Sequence, residues 1–253
     1  MEIINIILLS SIPAILYSLV IYATVPYKII DYRSGAYYLL AGFASIALLF
    51  LFFFAFPFWT EMSEYFMSMS KSAIGYLHFK NFIQIALIEE LSKLAAFLLF
   101  ERLMERYIKN KSHPLATMFY VGMVSLGFSI VENAIYGLGS AHPTETLAIR
   151  SVTSVIGHMV FGLFMGYWIS LGRMGVRETN RSLFDIMVSK KDIARRRIFT
   201  IIGLLSATIL HGLYDLHLGM QGNSGITTIY MLLLISLLGV FWCFRNLLKV
   251  HKF

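Results

Sequence analysis

Cysteine is almost absent from this chain, and the usual zinc-binding sequence patterns are missing. The 253 residues include one cysteine, Cys243, which excludes an internal disulfide and any CxxC-type zinc site. No HExxH pair is present either, so the helical zinc site typical of soluble metalloproteases is excluded. A single cysteine does not define the redox compartment.

Charged residues are also scarce. Only 14% of the residues are charged, whereas 58% are hydrophobic, and the mean hydropathy is +0.72. This composition excludes an ordinary soluble domain and is typical of a protein that is buried in lipid.

Seven apolar runs are long enough to cross a hydrocarbon core of ~30 Å at ~1.5 Å per residue. The sequence therefore predicts an all-α polytopic membrane protein, a bundle of about seven transmembrane helices that forms a single membrane domain over residues 1–253. The first run follows Glu2 rather than a basic segment, so we expect a retained span and not a cleaved signal. The runs cover residues 3–22, 36–59, 81–100, 114–138, 147–171, 198–216 and 226–244.

Lysine and arginine are distributed unevenly between alternate loops. The segments after the first, third, fifth and seventh runs are the basic ones, whereas the N-terminus has no basic residue and the fourth loop has only Arg150, near its end. The positive-inside rule then predicts an external N-terminus, a cytoplasmic C-terminus and a basic cytoplasmic loop at 172–197, in a multi-pass plasma-membrane protein. Because the net charge of +7 is explained by topology, we expect no nucleic-acid partner.

Ionisable residues nevertheless occur inside four of the apolar runs. A charged side chain at the centre of a bilayer is unfavourable by ~2.5–3.5 kcal/mol or more, so groups on four helices are expected to meet one another rather than face lipid. Counted along the helices, all of them lie ~8–15 Å below the outer boundary, which predicts one buried site open to the extracytoplasmic side. The groups are Glu89, Glu90 and Lys93, then Glu132 with Asn133, then His158, and finally His211 with Asp215.

Spacing within the helices suggests how these groups are used. Glu89 and Glu90 point about 100° apart, so we expect one to face the cavity and the other a supporting partner, and we assign the catalytic role to Glu90. Lys93 follows at three and four residues and can pair with either carboxylate. Asp215 lies four residues after His211, where it can hydrogen-bond the imidazole or act as a ligand itself.

In this order the motifs resemble those of the PrsW family of intramembrane proteases, whose pattern is EExxK, FxxxE, a histidine helix and HxxxD. The corresponding segments are IEELSK at 88–93, FSIVENAIY at 128–136, His158, and HGLYD at 211–215. The resemblance covers residues 81–216, the expected catalytic core. The chain is also distantly similar to the CAAX-prenyl-protease and bacteriocin-processing group, but Glu132 stands where that group has histidine.

The resemblance implies hydrolysis of a membrane-anchored protein substrate near the extracytoplasmic face, and in that family the substrates are anti-sigma factors. A glutamate base with two imidazoles can supply an activated water and a proton for the leaving amine. A divalent ion, zinc before others, would be held by His158 and His211 with Glu132 or Asp215. A metal-free mechanism around the same residues stays open. The implied catalytic residues are Glu89, Glu90, Lys93, Glu132, His158, His211 and Asp215.

Two functions of other classes also stay open. A proton-coupled transporter uses buried Glu, Lys, His and Asp as a proton relay, although the halves of this chain show no repeat symmetry of the kind common in carriers. In a non-catalytic receptor or scaffold, the same buried groups would be structural ion pairs. The sequence does not predict an oligomeric state.

The second loop has an amphipathic pattern. Apolar residues recur at three- and four-residue steps, which predicts a helix lying at the outer interface that either gates substrate entry or covers helix ends. These residues are Met62, Tyr65, Phe66, Met69, Ala73 and Tyr76.

Overall fold

The computed structural model describes residues 2–25, 30–59, 61–62, 65, 73–104, 114–174, 188–218 and 223–250. Within these ranges all regular structure is helical. The elements are α1 (Glu2–Thr24), α2 (Tyr32–Ala55), α3 (Ala73–His78), a π-helix (Phe79–Leu87), α4 (Ile88–Leu103), α5 (Pro114–Gly139), α6 (Pro143–Val152), α7 (Ser154–Arg173), α8 (Val188–Leu218) and α9 (Asn223–Val250).

Six helical stretches of the described chain are long and apolar enough to cross a membrane. They are α1, α2, α5, α8, α9 and the combined length of α6 and α7. The predicted third run, 81–100, is also helical throughout, but Glu89, Glu90 and Lys93 make it too polar to meet the same criterion. The predicted all-α, multi-pass membrane fold is confirmed, and the polar helix is the one that contributes most charge to the site.

Two differences from the predicted runs are the most pronounced. The fifth run is divided at Thr153, whose backbone angles (φ −116°, ψ −70°) depart from regular α-helical values, so that α6 and α7 are separate helices. The sixth helix begins at Val188, ten residues before the predicted run. A helix can extend beyond the hydrocarbon core into polar surroundings, and hydropathy alone does not mark that extension.

Helix α5 forms the centre of the bundle, since 89% of its most apolar window is buried, against 22% for α1 and for α9. It packs against α2 on one side and α7 on the other, and α7 in turn packs against α8. Glycine permits the α2–α5 approach, because a Cβ added to Gly42 would overlap the Val124 carbonyl. Two of the helices that carry polar clusters, α5 and α7, are therefore inner helices.

The π-helix continues directly into α4 and packs against α8. A π-helix contains an extra residue per turn relative to α-geometry, and such segments are frequent at functional sites. Here it places Lys80, Asn81 and Ile85 beside the cavity described below. Most of the amphipathic segment predicted in the second loop lies outside the described residues, and its end from Ala73 onward is helical.

Candidate active site

A cavity of about 190 Å³ lies at one end of the bundle, among the π-helix and helices α4 to α8. Each of the four polar clusters predicted from the sequence contributes at least one side chain to its wall. The lining includes Glu89, Glu132, His158, His211 and Asp215. Side chains from separate apolar runs thus share one cavity.

Glu90 and Lys93 lie behind this wall and are completely buried. The Lys93 ammonium donates to Glu90 Oε1 at 2.6 Å and lies 3.8 Å from Glu89 Oε2. It also lies 4.1 Å from the centre of the Phe128 ring, so a cation–π contact accompanies the ion pair. The predicted i,i+3 and i,i+4 pairing is present, with Glu90 as the nearer partner.

The partners of His158 define its tautomer. Its Nδ1 lies 2.9 Å from Lys93 Nζ, and its Nε2 lies 2.8 Å from Glu132 Oε2. A lysine ammonium only donates, so Nδ1 accepts, and Nε2 carries the proton that is donated to Glu132. Both ring nitrogens of His158 are therefore engaged by protein groups.

His211 has the opposite arrangement. Its Nδ1 lies 2.9 Å from Glu90 Oε1, and a carboxylate only accepts, so Nδ1 carries the proton. Its Nε2 faces the cavity, 3.4 Å from Asp215 Oδ2 and 3.8 Å from Glu89 Oε2. When the ring is neutral, this nitrogen presents a free lone pair to the cavity, whereas both ring nitrogens of His158 are engaged.

Three buried carboxylate oxygens of this cluster have no hydrogen-bond partner among the described residues. One is Glu90 Oε2, and the other two, Glu89 Oε2 and Asp215 Oδ2, lie beside His211 Nε2. An unpartnered buried acceptor is unfavourable by ~1–3 kcal/mol, and native proteins keep few of them without a functional reason. These acceptors fit a site for water or for a cation.

The donor set fits a divalent metal ion. In a tetrahedral zinc site with bonds of ~2.1 Å, neighbouring ligand atoms lie about 3.4 Å apart, close to the two separations around His211 Nε2. The Nδ1–H of His211 bonds to a carboxylate, as is usual behind a ligating imidazole. Glu89, His158 and His211 also each offer a ligand atom within 4.8 Å of the others.

The predicted ligands Glu132 and Asp215 differ in position. Asp215 borders His211 Nε2, whereas Glu132 Oε2 already accepts hydrogen bonds from His158 and Arg150. The prediction that one of the adjacent glutamates faces the cavity agrees with the lining. It is Glu89 that lies on the wall, while Glu90 supports His211 from behind.

Arg150 is a site residue that the sequence analysis treated only as a loop charge. It lies near the C-terminus of α6, lines the cavity, and donates to both Glu132 and Asn133. The available signal was its place three residues inside a predicted span, because an arginine at such a depth needs a partner.

Comparison with known proteins places these observations in a family. The model for the PrsW family intramembrane metalloprotease matches residues 35–241. The chain is 27% identical over 186 residues to a Protease PrsW of Clostridioides difficile, covering 71% of this chain and 66% of that protein. It is 29% identical over 154 residues to a Protease PrsW of Oceanobacillus iheyensis, covering 60% and 61%.

A third Protease PrsW, from Shouchella clausii, is 29% identical over 130 residues, covering 51% of this chain and 50% of that protein. The chain thus spans between half and two thirds of the length of these relatives. No solved structure is significantly similar to it. The family match covers most of the chain and includes all four polar clusters, and the chain therefore belongs to the PrsW family of intramembrane metalloproteases.

Proposed function

We propose that this protein is an intramembrane endopeptidase that hydrolyses a membrane-anchored protein substrate beside the extracytoplasmic face. The observation that carries the proposal is the convergence of His211 Nε2, Glu89 Oε2 and Asp215 Oδ2 on one cavity. The three relatives above are named proteases, which agrees with it. By the same resemblance, the substrate is an anti-sigma-factor-like protein with a single membrane anchor.

Glu89 is the proposed general base. Its free oxygen accepts a proton from water as the water oxygen bonds to the peptide carbonyl carbon, and the same proton passes to the leaving nitrogen when the C–N bond breaks. His211 accepts a hydrogen bond from that water through Nε2, while Glu90 fixes its Nδ1–H. Glu90 thereby acts as a positioning residue, in place of the base role that we first expected.

Lys93 and Glu132 complete the arrangement by fixing His158 from both sides. Lys93 also neutralises the buried Glu90 carboxylate, which would otherwise repel a charged Glu89. In a metal-dependent form of the mechanism, Glu89, His211 and Asp215 would instead hold a divalent ion, which would polarise the water and the substrate carbonyl. We propose zinc for this position, on the chemistry of the donor set.

The orientation of the chain belongs to the same proposal. With the N-terminus outside, the ends of α5 and α8 that border the cavity face the extracytoplasmic side. Neither the described part of the structure nor the comparisons favour the transporter alternative.

The test is cleavage by purified protein in detergent, where no gradient exists to drive a carrier. A panel of single-pass substrates is incubated with wild-type protein and with Glu89→Gln, and products are mapped by mass spectrometry. We expect wild-type protein to cut at least one substrate at the extracytoplasmic edge of its anchor, and Glu89→Gln to cut none. Equal cleavage by the two proteins, or none by wild type with reconstituted native substrate, would overturn the proposal.

A further inference from the structure

Arg150 is held on several sides at the edge of the cavity. Its Nη2 lies 2.7 Å from Glu132 Oε2 and 3.0 Å from Ser154 Oγ, and its Nε lies 2.7 Å from Asn133 Oδ1. The guanidinium carbon lies 3.7 Å from the centre of the Tyr136 ring. A planar guanidinium that is bonded at its edge and stacked on its face has little freedom to rotate.

The geometry of α6 places the guanidinium here. Helix α6 ends at Val152, and α7 begins at Ser154, after the irregular residue Thr153. Tyr17 of α1 donates to the Ser151 carbonyl at 3.3 Å, so α6 is also attached to the outer bundle. Arg150 thus connects the short helix α6 to Glu132 and Asn133, two consecutive residues of α5.

Glu132 in turn connects Arg150 to the two buried imidazoles. Its Oε2 atom accepts from Arg150 Nη2 and from His158 Nε2, with Ser154 Oγ at 3.4 Å. The ring of His158 lies edge-on to that of His211, with centroids 5.1 Å apart. Displacement of Glu132 would release His158 and alter one wall of the space beside His211.

We propose that Arg150 is a positioning residue that holds Glu132, and through Glu132 the His158 imidazole, in the orientation that the cavity requires. Its effect on rate rests on the proposed function, whereas its effect on His158 does not. Without Arg150, the Glu132 carboxylate loses its charged partner and the fixed direction of its Oε2 atom. A lysine keeps the positive charge but cannot bond to Glu132 and Asn133 together or stack on Tyr136.

The first experiment follows the His158 imidazole by ¹⁵N NMR in histidine-labelled protein, with the signal assigned by its loss in His158→Asn. Wild type should show a neutral ring protonated at Nε2 and hydrogen-bonded there. In Arg150→Met the Nε2–H signal should shift as this bond weakens, and in Arg150→Lys it should shift less. If Arg150→Met does not fold, Arg150→Lys decides alone. An unchanged His158 signal in the folded variant overturns the proposal.

Arg173→Met is the matched control. Arg173 also forms an ion pair, with Glu101 at 2.6 Å, and lies over a ring, that of Phe97, but near the opposite end of α7. Its loss should leave the His158 signal unchanged. An equal shift in Arg173→Met would show that any broken interhelical ion pair disturbs His158, and would also overturn the proposal.

The second experiment measures steady-state cleavage. Loss of a residue that supports a catalytic group typically lowers activity by ~10–100-fold, so kcat should fall by that factor in Arg150→Met with little change in KM, and by less in Arg150→Lys. A change confined to KM would contradict positioning. If wild-type protein cleaves nothing, the proposed function fails, and the NMR result still decides the role of Arg150.

Discussion

Two groups of charged residues, one near each end of helix α7, differ in how fully their carboxylate oxygens are paired. At one end, Arg173 Nη1 and Nη2 donate to the two oxygens of Glu101 at 2.6 and 2.7 Å, so both carboxylate oxygens have a charged partner. At the other end, beside His158, Glu89 and Asp215 each keep an oxygen without a hydrogen-bond partner in the described chain. The Arg173–Glu101 pair connects α4 to α7. Glu89 and Asp215 instead keep carboxylate oxygens that can accept hydrogen bonds from water or bind a cation.

This difference separates stability from activity. Residues of the complete pair should affect melting more than rate, and cavity residues with free acceptors should affect rate more than melting. Lys93 is expected to affect both, because it is buried and also contacts His158. The predictions below test this separation, from the largest expected effect to the smallest.

Replacement of His211 by asparagine should give the largest loss of activity. Asparagine cannot present an imidazole nitrogen to the cavity, so the water loses the acceptor that orients it for proton transfer to Glu89, and cleavage should fall by ~10³–10⁴-fold. His217→Asn is the control on the same helix, since His217 Nδ1 bonds to the Leu213 carbonyl at 2.7 Å and His217 does not line the cavity. Comparable losses in the two variants would show that the effect is not specific to the cavity.

Replacement of Lys93 by methionine should give the largest loss of stability. It leaves the buried Glu90 carboxylate without its cation, and breaking a buried pair in this way typically destabilises by ~3–5 kcal/mol. Denaturation in detergent measures the change in unfolding free energy. Lys80→Met, an exposed lysine at the cavity edge, is the control and should unfold like wild type. A wild-type midpoint for Lys93→Met would contradict the importance of the buried pair.

Much of this fold could be predicted from the sequence because the bilayer imposes simple requirements. A run of about twenty apolar residues must be helical, and charged groups must avoid lipid, so both the helices and the convergence of Glu89, Glu132, His158 and His211 followed from patterning. The all-α membrane fold is confirmed by six spanning helices.

The details that were missed depend on helix rotation and on local breaks. Whether Glu89 or Glu90 faces the cavity depends on the π-helix that precedes α4, and apolar periodicity does not encode its extra residue. The irregular residue Thr153, three residues after Arg150, likewise lies within one continuous apolar run. To predict the Lys93–His158 contact, the rotations of both α4 and α7 about their helix axes would have to be known.

Chelation should give a smaller but clear effect under the proposed zinc-dependent mechanism. Dialysis against a chelator should then lower cleavage by ~10²-fold or more, and added zinc should restore it. Elemental analysis verifies removal. Zinc should not restore the Glu89→Gln variant, which lacks one proposed ligand and base. Unchanged cleavage by protein shown to be metal-free would support the metal-free mechanism instead.

Replacement of Arg173 by methionine should have the smallest effect on rate. The Arg173–Glu101 pair is partly exposed, and such pairs contribute about 1 kcal/mol or less. The melting temperature should fall by ~2–4 °C, as that energy implies for a chain of this size, and kcat should stay within about twofold. A tenfold loss of kcat would show that the complete pair also serves the cavity.

The most direct measurement compares Glu89→Gln with Glu101→Gln in one cleavage assay. Both changes remove one carboxylate charge from α4 and keep nearly the same side-chain shape, but only Glu89 has a free oxygen on the cavity wall. We predict a loss of ~10³-fold for Glu89→Gln and near wild-type cleavage for Glu101→Gln, with both proteins folded. Wild-type cleavage by Glu89→Gln would contradict the assignment of this cavity as the active site.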